Sequence, residues 1–328
     1  MRNNLFLISS LLSTTVIYIS DITRFVDQMS SIGRGYGKII LFNEHFVVYG
    51  IPAIASAIDR YVEVKITDSE ELEIFDERLK RANDKIEMKI LNIISSKIGV
   101  DLSKNPIKIE IRGDLPLGSG LGASAATCVA LSRALSNHFN LNLRDEEINE
   151  LAYYGEKIFH GTPSGIDNTV STFGGVIWFE REKNIERITL GKPLYIVIGN
   201  TGIPSSTKKA VEKVRKRRER ERERFDEIFE EARSLAYDAR RYLEMGDLDK
   251  IGECMTKNHA LLKEIGVSCK ELDMLVELSL KSGALGAKLT GGGLGGNMIA
   301  LVKDEKDQDI IAREFEKRGF KSMKVKVG

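Results

Sequence analysis

Cysteine is scarce in this chain, which has three among its 328 residues: Cys128, Cys254 and Cys269. They lie far apart in the sequence, and none belongs to a Cys-x-x-Cys pair. So few, scattered thiols exclude a disulfide framework of the kind found in small secreted proteins. We therefore expect a protein of the reducing cytoplasm.

An excess of charge of one sign is also missing, because 49 Lys and Arg residues face 48 Asp and Glu residues, for a net charge of +1. This balance excludes the overall electrostatic signature of a dedicated nucleic-acid binder, so no nucleic-acid partner is expected. Only 6 prolines are present, while 42% of residues are hydrophobic and 30% charged, a composition typical of folded globular chains rather than disordered ones.

No apolar run is long enough to cross a membrane. The segment 5–19 is moderately apolar, but serines and threonines interrupt it and it is too short to span a bilayer. A weak signal peptide is one interpretation of this segment. The preferred interpretation is that residues 1–30 are a disordered extension ahead of the recognisable domain, and no membrane partner is expected.

The length favours two domains, which we predict at 31–191 and 192–328, with the boundary near Pro193 because proline interrupts the pattern there. Alternating apolar residues predict strands, and helical spacing predicts helices, over many short segments. The predicted strands are 38–42, 61–67, 107–112, 175–179, 195–199, 297–302 and 322–327. The predicted helices are 123–135, 145–157, 205–245, 248–265 and 307–317. Acidic and basic residues alternate in 218–224, which favours a solvated helix face over a nucleic-acid arm.

A glycine-rich loop between a predicted strand and a predicted helix is the most informative segment. It reads Pro116-Leu117-Gly118-Ser119-Gly120-Leu121-Gly122-Ala123-Ser124-Ala125-Ala126. Glycines let the backbone approach a ligand, and the N-terminus of the following helix favours an anion. A Walker loop is excluded because no Gly-Lys-Ser or Gly-Lys-Thr closes the motif.

A Rossmann fingerprint is matched loosely at Gly118 and fully at Gly291-x-Gly293-x-x-Gly296. However, no acidic residue stands near 137–140 to bind a ribose, and a strand rather than a helix is predicted after the second run. An NAD(P)-dependent oxidoreductase and a non-catalytic nucleotide-binding protein stay open as alternatives.

The glycine loop resembles the ATP-binding motif of the GHMP small-molecule kinases, whose pattern is Pro-x-Gly-x-Gly-Leu-Gly-Ser-Ser-Ala. Three further segments agree in order and spacing. Residues 38–50 resemble the first motif of the branch that phosphorylates mevalonate, residues 161–168 resemble a Pro-Ser-Gly-x-Asp segment, and residues 288–296 resemble the third motif.

The resemblance implies an α+β fold with an N-terminal ribosomal-S5-like domain and a C-terminal ferredoxin-like domain. It implies phosphorylation of (R)-mevalonate at its C5 hydroxyl, with ATP as phosphoryl donor and Mg²⁺ as cofactor, in isoprenoid biosynthesis. Another kinase of the family, such as one acting on phosphomevalonate, is the runner-up. A homodimer is compatible with the sequence.

The resemblance also implies roles for individual residues. Asp167 would face the attacking hydroxyl, with Lys38 beside it, and Ser124 and Glu156 would hold Mg²⁺. Substrate contacts would come from Glu44, His45 and Thr201. The alternative is a purely structural role for each residue, in which Asp167 caps a helix and Glu156 is a surface residue.

Three positions depart from the family pattern. Asn43 and Leu294 stand where glycine is usual, and Ala123 replaces the first serine of the Ser-Ser pair. None of these changes removes a charged group that phosphoryl transfer needs.

Overall fold

The computed structural model describes residues 31–161, 163–180 and 185–328. Within these residues the chain forms two compact units. The first unit comprises residues 31–35, 62–113 and 127–161, and the second comprises 36–61, 114–126, 163–180 and 185–328. The extension predicted at 1–30 lies outside the described residues, and the boundary predicted near residue 192 stays a prediction.

Both units contain helices and strands. The strands are β1 (Ile32–Phe42), β2 (Ala53–Asp68), β3 (Glu73–Asp76), β4 (Arg81–Ala82), β5 (Ile107–Gly113), β6 (Val176–Phe179), β7 (Glu186–Ile188), β8 (Leu194–Asn200), β9 (Gly286–Thr290), β10 (Asn297–Val302) and β11 (Lys321–Val327). The helices are α1 (Lys85–Lys97), α2 (Ala123–His138), α3 (Asp145–His160), α4 (Ile166–Phe173), α5 (Thr207–Arg220), α6 (Arg222–Met245), α7 (Leu248–Glu264), α8 (Lys270–Lys281) and α9 (Glu305–Glu316). A short 3-10 helix spans Phe46–Tyr49. This mixture confirms the predicted α+β class. None of the helices in the described ranges has the length and hydropathy needed to cross a membrane.

The first unit is built on the strand order β4-β3-β5-β2. The second half of β2 pairs antiparallel with β5, so that Val64 lies opposite Ile111, and β3 pairs parallel with β5. Alternate residues of β5, namely Ile107, Ile109 and Ile111, are buried, as the period of two requires. Helices α1 and α3 pack against each other.

The second unit contains a four-stranded antiparallel sheet with the order β11-β8-β10-β9. Helices α7 and α8 pack on β9, and α9 packs on β8 and β11. In the same unit, the first half of β2 pairs with β6, which pairs with β7. A cluster of buried apolar residues joins β1, the 3-10 helix, β2, α4 and β6; it includes Ile40, Val47, Ile166 and Ile177. This cluster positions the beginning of α4 and the end of β1.

The predicted helix over 205–245 is wrong in one respect, because the helix is interrupted at Glu221, whose backbone is not helical. No glycine or proline marks the interruption. Arg217 donates to the carbonyl of Glu264 on one side of it, and Phe225 is fully buried on the other. Tertiary contacts therefore set this break. Helices α1 and α8 and strands β3, β4, β7 and β9 were missed. Asp84 accepts hydrogen bonds from the first turn of α1, as an N-cap does.

The interleaved charges of α5 and α6 lie on exposed, ion-paired faces. Arg215 pairs with Glu212 and Glu219, and Arg217 pairs with Glu221. These contacts confirm the interpretation as a solvated helix face. Exposed pairs of this kind each contribute little to stability, usually less than about 1 kcal/mol.

The cysteines are free thiols, as predicted. Cys128 and Cys254 are buried, and burial raises the pKa of the Cys254 thiol to about 11. They are protonated packing residues.

Candidate active site

The first glycine loop, Pro116–Gly122, leads directly into α2. Gly118, Gly120 and Gly122 all have φ near +70°, at 69°, 75° and 76°, a region that strongly favours glycine. The loop is anchored to β1, since the N–H of Lys38 donates to the carbonyl of Leu121 at 2.8 Å. A Cβ on Gly122 would lie 2.8 Å from Cγ of Lys38, so glycine is needed there for the lysine side chain to pass.

Lys38 extends across this loop to Asp167. Its Nζ lies 3.0 Å from Oδ1 of Asp167. The lysine side chain is 8% exposed, whereas the aspartate side chain is 32% exposed. The structure therefore brings together the two residues predicted to be catalytic, with one carboxylate edge accessible to solvent or a ligand.

Asp167 belongs to the first turn of α4, and the N-cap of that helix is Gly165. The alternative that Asp167 is the helix cap is therefore wrong. Ser164 accepts a hydrogen bond from the N–H of Ile166 at 3.4 Å, so a neighbouring side chain serves the helix start. The N-terminus of α4 and the Lys38 side chain both place positive charge beside Asp167.

The second glycine loop, Gly291–Gly296, lies next to the first. A Cβ built on Gly291 would be 3.8 Å from the carbonyl oxygen of Gly120. The loop is held on its other side by Ser205, whose hydroxyl donates to the carbonyl of Gly293 at 2.7 Å. Thr201 also fixes this loop, because its backbone N–H and its hydroxyl both donate to the carbonyl of Gly296 at 2.9 Å.

Glu44 forms a fully buried ion pair with Lys288. The Lys288 Nζ donates to Oε1 at 2.6 Å and to Oε2 at 2.7 Å, and donates a third hydrogen bond to the carbonyl of Leu289. Complete burial raises the pKa of Glu44, and the Lys288 cation opposes that rise. No role was predicted for Lys288, and this pair links the first motif to the strand that precedes the second glycine loop.

His45 follows Glu44 and is held by the second glycine loop. Its Nε2 lies 3.1 Å from the carbonyl oxygen of Gly292, which can only accept, so Nε2 carries the proton. Burial lowers the pKa of His45 to about 4, and the positive charge of Lys288 acts in the same direction. The imidazole is therefore neutral near pH 7. Its Nδ1 is a buried acceptor without a hydrogen-bond partner in the described part of the chain.

The two positions that depart from glycine have left-handed backbone conformations. Asn43 has φ of 68° and Leu294 has φ of 55°. After glycine, asparagine is the residue that adopts this conformation most readily. Here both polar atoms of the Asn43 side chain also form hydrogen bonds. Its Nδ2 donates to the carbonyls of Pro52 and Ala232, and its Oδ1 accepts from Asn258. The backbone shape that glycine favours is thus kept at both positions.

Ser124 and Glu156 belong to different units. Ser124 is the second residue of α2 and is half-buried. Glu156 lies on α3 with its side chain 1% exposed, and its Oε2 is 3.8 Å from Nε2 of His160. The alternative of a surface glutamate is therefore wrong. No group of three or more His, Cys, Asp or Glu residues suited to a metal occurs in the described ranges.

The other histidine of the second unit, His259, has a structural role. His259 accepts a hydrogen bond from the N–H of Leu289 on Nδ1 at 3.3 Å, and its Nε2 lies 3.3 Å from Asp273. Burial lowers its pKa to about 4, which Asp273 opposes. This ring supports the strand that carries Lys288.

Sequence reasoning missed Lys288 and Asn297. Lys288 lies between the apolar residues Ala287 and Leu289. A lysine in this pattern can be identified as buried only when the anion that pairs with it is known. Asn297 was assigned simply to a strand, yet its amide contacts the first glycine loop.

Two family models match the chain: "GHMP kinases N terminal domain" over residues 85–175 and "GHMP kinases C terminal" over residues 235–321. A mevalonate kinase of Pyrococcus horikoshii is 39% identical over 291 residues, which cover 81% of this chain and 86% of the relative. A mevalonate kinase of Methanothermobacter thermautotrophicus is 32% identical over 301 residues, or 90% of this chain and 97% of the relative.

Solved structures agree with these relatives. The crystal structure of L. major mevalonate kinase in complex with R-mevalonate matches with a TM-score of 0.85 and 37% identity, over 90% of this chain and 95% of the other. The Methanococcus jannaschii mevalonate kinase matches with a TM-score of 0.80 and 27% identity, over 90% of this chain and 98% of the other.

Proposed function

Because this chain belongs to the GHMP kinase family, we propose that it transfers the terminal phosphoryl group of ATP to the C5 hydroxyl of (R)-mevalonate. The products are 5-phosphomevalonate and ADP, and the reaction serves isoprenoid biosynthesis. The kinase fold expected from the resemblance is confirmed by the match to the L. major structure at a TM-score of 0.85. The oxidoreductase alternative has no comparable support, since the relatives reported above are kinases.

The observation that carries this proposal is the contact between Lys38 and Asp167 beside the first glycine loop. Phosphoryl transfer needs a cradle for phosphates, a carboxylate near the nucleophile and a cation that offsets charge. The backbone of Lys38 binds the loop at Leu121, and its Nζ binds Asp167 at 3.0 Å. One residue therefore fixes the distance between the phosphate cradle and the carboxylate.

The reaction places the mevalonate hydroxyl at the exposed edge of Asp167. The hydroxyl oxygen forms a bond to the γ-phosphorus, the bond from that phosphorus to the β,γ-bridging oxygen breaks, and ADP leaves with the electron pair. Asp167 accepts the hydroxyl proton. If the transition state is loose, this proton transfer occurs late in the reaction. Lys38 favours loss of that proton and offsets negative charge next to the transferred group.

Mg²⁺ fits the chemistry of the two residues predicted to hold it. A serine hydroxyl and a glutamate carboxylate are hard oxygen donors, and Mg²⁺ is usually held by one or two such groups together with substrate phosphates and water. Ser124 and Glu156 would hold the ion. When bound, it would neutralise charge on the phosphates.

The remaining substrate residues have distinct roles in this proposal. His45 contacts the substrate directly, because its neutral ring offers Nδ1 as an acceptor to a donor such as a hydroxyl. Glu44 acts through its ion pair with Lys288, and Thr201 acts through its two hydrogen bonds to Gly296. Both shape the pocket by fixing the backbone around it.

A coupled ADP-release assay tests the function. Purified protein would be given ATP and, in separate reactions, mevalonate, phosphomevalonate, galactose or homoserine. We expect turnover with mevalonate alone. Turnover with phosphomevalonate instead would show that the protein is a phosphomevalonate kinase. ATP binding without turnover of any acceptor would support a non-catalytic nucleotide-binding protein.

Asp167→Asn tests the proton acceptor. We expect turnover to fall by roughly 10²–10⁴-fold with ATP affinity nearly unchanged, the range for loss of a positioned proton acceptor. Asp309→Asn is the matched control, because Asp309 is an exposed aspartate paired with Lys324 at 2.6 Å. Wild-type turnover in Asp167→Asn, or an equal loss in Asp309→Asn, would contradict the assignment.

The cytoplasmic location and a homodimer remain predictions from the sequence. Fractionation of native cells and sedimentation of the purified protein would measure them.

A further inference from the structure

The amide of Asn297 links the two glycine loops of the second unit. Asn297 is the first residue of β10, directly after the second loop, and it is 3% exposed. Its Nδ2 donates to the carbonyl of Ser119, in the middle of the first loop. A Cβ on Gly120 would lie 3.4 Å from the same Nδ2, so the loop is in close contact with this side chain.

The orientation of this amide is fixed by a chain of hydrogen bonds. The N–H of Gly202 donates to Oδ1 of Asn200 at 2.8 Å, and Nδ2 of Asn200 donates to Oδ1 of Asn297 at 2.7 Å. A backbone N–H can only donate and a backbone carbonyl can only accept. The chain from Gly202 to Ser119 therefore has a single direction, which leaves Asn297 Nδ2 as the donor to the loop.

This contact determines which way a loop N–H points. The peptide bond between Ser119 and Gly120 is trans, as are all peptide bonds in the described residues. In a trans peptide the carbonyl and the following N–H point in opposite directions. Because the Ser119 carbonyl points to Asn297, the Gly120 N–H points away from it, and no backbone acceptor for that N–H occurs in the described ranges.

We propose that Asn297 is a positioning residue that fixes the Ser119–Gly120 peptide and so directs the Gly120 N–H to the phosphates of the nucleotide. The proposal rests on the proposed kinase function, since it names a residue that prepares the loop for ATP. Asn297 touches the loop and not the nucleotide. Without its amide, the peptide is free to rotate, because glycine tolerates the dihedral change on its side of the bond.

Isothermal titration of ATP and of (R)-mevalonate into two variants tests this role. Asn297→Leu is neutral and of similar size but has no donor, and Asn297→Asp keeps the acceptor for Asn200 while losing the donor. We expect the Kd for ATP to rise on the order of tenfold in Asn297→Leu, the effect of about one lost hydrogen bond. Asn297→Asp should lose at least as much, and part of its loss should vary with salt because of the added charge. The Kd for mevalonate should change less than about twofold.

Gln308→Leu provides the matched control. Gln308 is a buried amide of the same unit, and its Nε2 donates to the carbonyls of Ile196 and Val325 at 2.8 and 2.9 Å. This variant should lower the melting temperature and leave both dissociation constants unchanged.

The outcomes separate the two proposals. Unchanged ATP affinity in both Asn297 variants, equal losses for ATP and mevalonate, or the same loss of ATP affinity in Gln308→Leu would overturn the role of Asn297 while the kinase function stands. Wild-type protein that binds neither ATP nor mevalonate would overturn the proposed function and this inference together.

Discussion

Breaking the buried ion pair of Lys288 and Glu44 should be among the most destabilising single changes in the second unit. The side chains are 0% and 4% exposed, and the ammonium contacts both carboxylate oxygens. Lys288→Met keeps the aliphatic stem but leaves Glu44 buried without its cation. Removing one partner of a buried pair costs about 3–5 kcal/mol, which for a chain of this size lowers the melting temperature by roughly 10 °C.

The loss of stability in Lys288→Met should depend on pH. Burial already raises the pKa of Glu44 above its ordinary value of 4.5, and loss of Lys288 removes the charge that opposes this rise. A carboxyl whose pKa is higher in the folded chain binds more protons when folded, so its stabilisation is complete below the unfolded pKa and is lost as pH rises through the folded pKa. The deficit of Lys288→Met relative to wild type should therefore widen as the pH rises above the ordinary carboxyl pKa of 4.5.

Thermal unfolding of the wild type, the two single variants, the double variant and one control variant measures both effects. The double variant Lys288→Met/Glu44→Gln removes the buried Glu44 charge that has lost its cation. Its loss in free energy of unfolding should therefore be at least about 1 kcal/mol smaller than the sum of the losses in the two single variants. Lys324→Met is the control, because Lys324 pairs with Asp309 at 48% and 45% exposure, and losing this exposed pair should cost far less than losing the buried one. A pH-independent deficit in Lys288→Met, or strict additivity in the double variant, would refute the reasoning.

Two further sets of variants test the metal ligands and the left-handed turn. Glu156→Gln should raise the Mg²⁺ concentration needed for activity, Ser124→Ala should mainly reduce turnover, and the two should be non-additive because both act through one ion. A Mg²⁺ dependence of the rate that stays unchanged in both would remove the metal assignment. Asn43→Gly should destabilise the protein by about 2 kcal/mol in denaturant titrations, although the family usually has glycine there, because buried partners of the Asn43 amide lose their hydrogen bonds. Equal or higher stability would show that backbone strain outweighs those bonds.

The sequence allowed the local part of this fold to be predicted. Alternation of apolar residues marked β5, and glycines marked the turn before α2, because these signals depend on near neighbours along the chain. Lys38 and Asp167 were identified by resemblance, and the structure brings them to 3.0 Å. Their contact follows from the fold that the resemblance implied.

Long-range contacts explain what was missed. Lys288 and Asn297 were assigned no role, since their importance comes from Glu44 and Ser119, which lie far away in sequence. The interruption at Glu221 was missed for the same reason, because contacts of Arg217 and Phe225 override a strong helical pattern. Buried polar partners cannot be paired by periodicity alone.

Position 122 is constrained twice, by its left-handed backbone and by the Lys38 side chain. Gly122 has no functional group, yet any side chain there would meet the Lys38 stem at 2.8 Å. That stem leads to an ammonium whose distance to Asp167 is 3.0 Å, so a methyl group at position 122 would act on the carboxylate through the lysine. Natural drift and directed evolution should therefore tolerate substitutions at this glycine as poorly as at a charged residue of the reaction centre, because both its left-handed backbone and the space taken by Lys38 exclude a side chain.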